Sequence, residues 1–239
     1  MVVLENAKST GGNRLLGQLE AGAIDRLRPQ LQPVQFDYRK VLYEAGSAID
    51  FIYFPLSGVT SLVKTMEDGG AAEVGTVGNE GIVGVPMLFG EDASPTTVHV
   101  EVPGEGLRLP ARAFRDVLSR SQSTQELMRR YAYALFNQIS QVVACNLFHE
   151  VEQRCARWLL MAHDRMPGDD FMLTHEVLSL MLGVRRSSVT VAAGRLSEAG
   201  LIEYRRGHVT IRDRAGLERR SCECYHAIQQ EYDRLLGEG

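Results

Sequence analysis

The 239-residue chain holds no apolar run long enough to cross a bilayer, and no GxxxxGK, HExxH or GxSxG pattern. A phosphate-cradling loop, a two-histidine zinc helix and a nucleophile elbow are therefore excluded. His149-Glu150 begins an HExxH-like pair but lacks the second histidine. Residues Met1–Asn13 have neither a basic start nor an apolar core. They read as a loose leader rather than a secretory signal, and the expected compartment is the cytoplasm. Cysteine is scarce, with Cys145, Cys155, Cys222 and Cys224 and no CxxC pair. Cys145 and Cys155 fall in helical patterns and read as core or interface residues. Cys222, Cys224 and His226 lack a fourth ligand and metal-type spacing, so no metal is expected.

Net charge is also small, −4, although its distribution is uneven. Between Val151 and Arg220 stand 12 arginines and no lysine against 9 acidic residues. A mildly positive C-terminal part on an acidic body fits a local nucleic-acid footprint. Hydrophobic residues make up 44% and charged residues 23%, the balance of a globular protein.

From Val34 to Leu109, short β-rich runs alternate with Gly and Asp turns: VQFDY, VLYEAG, FIYFPLSG, VTSLVKT, EVGTVG, TTVHVEV and LRLP. This spacing indicates a small jelly-roll barrel. A helical pattern over Arg14–Leu31, broken at Gly22, precedes it. ARAFRDVL (Ala111–Leu118) follows as a short helix. A long helix then runs from about Gln125 to Phe148, with Ser123 placed to cap it. Met128, Ala132, Leu135, Ile139, Val142 and Asn146 recur at alternating spacings of four and three, a heptad seam for pairing with a twin helix. Phe136, Val143 and Leu147 form a second stripe, expected to pack on the barrel.

The most informative stretch is Thr174–Thr210. It reads as a helix capped by Thr174, a turn at Gly183, a second helix opening on Arg and Ser, and a short basic hairpin. That is the layout of a winged helix-turn-helix, which places its second helix in the DNA major groove. Leu178, Met181, Leu182, Val184, Val189, Ala193 and Leu196 are the expected core. The expected DNA-facing set is Thr174, His175, Arg185, Arg186, Ser187, Ser188, Thr190, Arg205, Arg206 and His208. Arg186 is suited to two parallel bonds with guanine O6 and N7, and the wing arginines to phosphates. The whole reads as an α+β chain in four parts: a barrel over 14–122, a dimerisation helix over 123–149, a winged helix-turn-helix over 150–220 and a helical tail over 221–239.

This order, with VEQRCARWLL, THEVLSLMLGVRRSSVTVAAGRLSEAGLIEYRRGHVTI and VLYEAG…IYFPLSGVTSLV, resembles the Crp/Fnr family of cyclic-AMP receptor protein and the fumarate–nitrate regulator. The resemblance implies a homodimeric transcription regulator that reads a two-fold symmetric duplex site and meets RNA polymerase. It also implies a barrel that controls the pose of the reading heads through a small-molecule or redox effector. The family's nucleotide-binding Gly-Glu and Arg-Ser/Thr pairs correspond here to Gly84-Val85 and Thr96-Thr97. Val85 accepts no ribose hydroxyl, and Thr96 lacks an arginine's charge-assisted bonds to phosphate. Cyclic AMP is therefore not expected in the usual mode. Met1–Leu31 holds no cysteine, so no N-terminal Fe–S cluster is expected. The recognition helix keeps Arg186 but has Ser187 and Val191 where the cyclic-AMP receptor has Glu and Arg, so a different half-site is expected. The rival reading is a small-ligand sensor whose winged domain docks on protein. An enzymatic cupin-like barrel is excluded, because His99 is the only histidine in the barrel region.

Overall fold

The computed structural model describes residues 12–237, so most of the stretch read as a leader, residues 1–11, lies outside the described residues. Asn13, its last residue, is not loose. It is fully buried, caps helix α1 (Arg14–Gln18) through the N–H groups of Leu15 and Leu16, and donates to the carbonyls of Pro55 and Gly81. A buried amide with every donor satisfied anchors the chain where composition suggests a free end. The helical stretch breaks at Leu19–Glu20 rather than at Gly22, which lies inside α2 (Ala21–Leu27).

Seven strands form the barrel. One antiparallel sheet has the order β1 (Gln32–Phe36), β7 (Gly104–Pro110), β3 (Phe51–Pro55). The other has the order β2 (Val41–Tyr43), β6 (Thr97–Val102), β4 (Val59–Thr65), β5 (Ala71–Val77). Phe36, Ile52, Phe54, Val100, Leu107 and Leu109 fill the space between them. Burying such side chains is worth about 1.5–3 kcal/mol each, which commits the two sheets to face one another.

Helix α3 (Ala111–Arg120) leads into α4 (Gln122–Phe148), 27 residues long. Ser121 rather than Ser123 caps α4, its hydroxyl accepting from the N–H of Thr124. The two apolar stripes of α4 do not face as periodicity assigned them. Met128, Leu135 and Val142, read as the free seam, are only 1%, 3% and 4% exposed within the protomer. Ala132 and Ile139 are half-buried and Asn146 is exposed. Phe136, Val143 and Leu147, read as barrel-facing, are 61%, 57% and 74% exposed. Both stripes carry the same spacing of three and four. The barrel selects between them, because Tyr131 donates to the carbonyl of Ile82 and Gln138 to that of Thr76, which turns their side of the helix inward.

Helix α5 (Val151–His163) opens with a capping box in which Glu150 and Gln153 satisfy each other's backbone N–H. Strand β8 (Asp170–Met172), helices α6 (His175–Leu182) and α7 (Arg186–Glu198), and strands β9 (Ile202–Arg205) and β10 (His208–Ile211) complete the C-terminal unit, with sheet order β8–β10–β9. After α8 (Arg214–Arg220), α9 (Cys224–Leu236) returns to lie along α4, where Tyr232 donates to Gln138 at 3.0 Å. No helix among the described residues is long and apolar enough to cross a membrane.

Candidate nucleic-acid interface

Helices α6 and α7 meet across a turn that needs a left-handed residue, and Gly183 supplies it at φ 61°. Thr174 caps α6 by accepting from the N–H of Val177 at 3.2 Å. Val177, Leu178, Met181 and Leu182 bury one face of α6 against Val189, Ala192, Ala193 and Leu196 of α7. The opposite face of α7 is left to solvent: Arg186, Ser187, Thr190, Val191 and Arg195 are exposed, and Ser188 is half-buried. Arg185 occupies the N-cap with no side-chain capping bond. The first N–H groups of α7 therefore remain available, and a helix N-terminus in that state attracts anions.

Strands β9 and β10 are joined by a tight two-residue turn, with Arg206 at φ 50° and Gly207 at φ 82°. Positive φ at both central positions is the hairpin geometry that matches strand twist, and it favours Asn or Gly. An arginine there carries about 1–2 kcal/mol of strain. Strain held at an exposed tip is an observation about function as well as stability. Arg205 pairs with Glu203 at 2.5 Å. Among the described residues, Arg185, Arg186 and Arg206 have no ion-pair partner, although all three are exposed.

Two of the expected DNA-facing histidines have other engagements. His175 is half-buried, with Nδ1 at 3.2 Å from the Thr190 hydroxyl and its ring edge-on to Tyr204 at 4.6 Å. Burial, and the charge of Arg186 after it, lower its pKa, so the ring stays neutral. Its Nε2 is buried without a partner. His208 pairs with Asp170 at 3.1 Å, beside Thr210, which donates to the same carboxylate at 2.8 Å. Sequence reasoning did not single out Val191 as a contact. Its signal was present, since it is the one large apolar residue on an otherwise polar helix face, and it is 56% exposed.

In the barrel, Gly84 and Val85 open a short 3-10 turn over Val85–Phe89. With Thr96 they border a cavity of about 380 Å³ whose walls are largely apolar, including Tyr43, Leu62, Val74 and Leu135. Among the described residues, no arginine or lysine lines it. Thr97 lies outside the lining, and its hydroxyl accepts from the N–H of Ala45. His99 is a half-buried residue of β6, paired in register with Val41 and Ser61.

The cysteines correct the sequence reading. Cys145, His149, Cys222 and Cys224 bring their ligand atoms within 4.8 Å of one another, while His226 takes no part. Residues two apart on one helix would point to different faces. Cys222 instead lies in the link before α9, which begins at Cys224, so both thiols turn to the same side.

Residues 153–220 match the family model of the Crp-like helix-turn-helix domain, and residues 33–121 that of the cyclic nucleotide-binding domain. The CRP-like cAMP-activated global transcriptional regulator of Mycobacterium tuberculosis (strain ATCC 25618 / H37Rv) is 26% identical over 213 residues, covering 85% of this chain and 94% of the relative. The global nitrogen regulator of Synechocystis sp. (strain ATCC 27184 / PCC 6803 / Kazusa) is 23% identical over 209 residues, covering 82% and 93%. Among solved structures, FixK2 from Bradyrhizobium japonicum has the same fold, with a TM-score of 0.68 at 11% identity, covering 80% of this chain and 98% of that one.

Proposed function

The chain belongs to the Crp/Fnr family of transcription regulators, and we propose that it works as a homodimer that reads a two-fold symmetric duplex site without cyclic AMP. Two copies of α7 enter successive major grooves with centres about 34 Å apart, one turn of the duplex. Arg186 reads guanine, Ser187, Ser188 and Thr190 bond bases or phosphates, and Val191 touches a thymine methyl. Arg185, with the uncapped start of α7, and Arg205 and Arg206 on the wing hold phosphates. Thr174 and His175 act from behind, as the cap of α6 and as a wedge that sets Thr190. His208 reaches DNA only by leaving Asp170.

One observation carries this reading. The exposed face of α7 begins with Arg185 and Arg186, which have no acidic partner among the described residues, whereas Arg195 at its far end lies 3.5 Å from Glu152 and the other face is buried in the core. A cationic helix start without a carboxylate to neutralise it suits a polyanion.

The exposed stripe of α4 supports the dimer. Tyr133, Phe136, Val143 and Leu147, with Ser140 between them, follow alternating three and four spacings and are left more than half exposed by the described residues. Pairing with a second α4 buries them. The barrel cavity supports the loss of cyclic AMP. The mycobacterial relative is named for activation by cAMP. In this chain the cavity offers no cation to a cyclic phosphate, and Val85 offers no acceptor to a ribose. An effector that enters meets largely apolar walls with Glu91, Ser94 and Thr96 among them, and it acts only by binding one pose of the reading heads better than another. RNA polymerase, in the cytoplasm, is the protein partner such a regulator meets.

A gel shift with random-sequence duplex at two salt concentrations tests the class of partner. Retention that falls steeply with salt supports DNA binding. No retention at low salt favours a winged domain that docks on protein.

A further inference from the structure

We propose that Cys145, His149, Cys222 and Cys224 form a structural zinc site that staples the reading head to the dimerisation helix. The three thiols are 0–2% exposed. The Cys145 and Cys222 sulfurs are 3.5 Å apart, and the Cys224 sulfur is 3.5 Å from Nδ1 of His149. Zinc with sulfur at about 2.3 Å and nitrogen at about 2.0–2.1 Å requires tetrahedral edges of about 3.8 Å for S···S and about 3.6 Å for S···N. These two edges are within a few tenths of an ångström of that geometry, and all the ligand atoms lie within 4.8 Å of one another. None of the four cysteines in the chain forms a disulfide.

Two further observations point to a ligand. The outer nitrogen of His149, Nε2, lies 3.2 Å from the carboxylate of Glu223. That bond holds the tautomer in which Nδ1 presents a lone pair to the sulfurs, the arrangement common behind metal-bound histidines. Beside the cluster lie two arginines, Arg154 and Arg157, which are 7% and 2% exposed. Neither forms an ion pair with a carboxylate among the described residues, although Arg157 feels the Glu73 carboxyl at longer range, and Nε of each is buried without a partner. Buried cations need a nearby negative charge. Zinc binding displaces the three thiol protons to solvent and leaves a Cys₃His site with net negative charge beside both guanidiniums. A buried, closed ligand set of this kind is structural rather than catalytic.

The position gives the site its role. Cys145 and His149 end α4, whereas Cys222 and Cys224 follow α8. The DNA-reading part lies between the two ligand pairs, so one ion ties its entry and its exit to the same point on the dimer helix. The site does not depend on the DNA reading and stands or falls on metal binding alone.

The test is metal content of the full chain purified under reducing conditions, with cobalt as a spectroscopic substitute. The expected result is one zinc per protomer, removable by chelator, and one equivalent of cobalt taken up with the visible spectrum of a tetrahedral thiolate site. Cys145→Ala and Cys224→Ala lose the metal, while Cys155→Ala, a buried cysteine outside the cluster, keeps it. Should the cluster variants fail to fold, the titration of the wild-type chain still decides. The proposal is overturned if the wild-type protein neither carries zinc nor takes up cobalt after stripping. It is equally overturned if Cys155→Ala loses as much metal, or if the protein holds a Cys145–Cys222 disulfide in place of the ion.

Discussion

Trp158, on the helix that leads into the reading head, donates its indole N–H to the carboxylate of Glu73 on strand β5 at 3.1 Å. Ser61 donates to the same carboxylate, and the Ser61 hydroxyl lies 3.2 Å from the sulfur of Met181 in α6. Tyr38 and Thr174 meet at 3.4 Å, and Arg39 pairs with Glu176 at 2.8 Å. The winged unit therefore rests on the barrel through a patch that includes one buried acid, while one face of α7 stays exposed.

Burial pushes the Glu73 carboxyl up to about 7, against the partial relief of Ser61, Arg157 and Trp158. Unfolded glutamate ionises near 4.5. A raised folded value means that the stabilisation is complete below the unfolded pKa and is lost as pH rises through about 7. Glu73→Gln should therefore gain melting temperature over the wild type progressively between pH 5 and 8, up to about 3 kcal/mol of relative stability. Glu101, also pushed up to about 7 by burial, repels Glu73, so removing the Glu73 charge also relieves that repulsion and adds to the gain. A difference that stays constant with pH removes Glu73 from this role.

Arg186→Ala should weaken binding to the cognate duplex by about 1–3 kcal/mol while leaving random-duplex binding close to unchanged. Arg205→Ala should weaken both and flatten the dependence of log affinity on log salt by roughly one unit. Fluorescence anisotropy at several salt concentrations separates the two patterns. Equal loss on both duplexes in the Arg186 variant contradicts base reading.

The two stripes of α4 give opposite mutational signatures. Phe136→Glu or Val143→Glu should yield a folded protomer of half the solution mass, since both side chains face outward. Met128→Ala should instead lower stability by about 2–5 kcal/mol and leave the oligomer intact. Light scattering and thermal melts read these outcomes, and the reverse pattern restores the seam that periodicity alone suggests.

At the wing tip, Arg206→Asn should relieve left-handed strain and raise stability by about 1 kcal/mol while weakening DNA binding at low salt. A variant that gains stability and binds DNA as tightly as the wild type assigns the arginine no contact.

The barrel, the long helix and the winged unit were legible because each depends on local periodicity and turn chemistry: alternating runs for the sheets, three-and-four spacing for α4, Gly183 between α6 and α7. What escaped depends on contacts distant in sequence. Met128 and Phe136 carry equivalent signals along the helix, and only the barrel decides which faces inward. Cys145 and Cys222 lie 77 residues apart, so no spacing rule joins them. Asn13 looked like the end of a loose leader because its partners, Pro55 and Gly81, come from two separate parts of the barrel. The residues proposed to face DNA are assigned by position in the motif alone. The inward turn of His175 was not legible, because it rests on Tyr204 from the wing.

Selection of bound duplexes from a random pool by the purified full chain tests the central claim most directly. The account predicts enrichment of two inverted half-sites whose centres lie about 10 bp apart, with a guanine in each half that loses its preference in the Arg186→Ala protein. Recovery of unenriched sequence, or of a solitary half-site bound by one protomer, contradicts it.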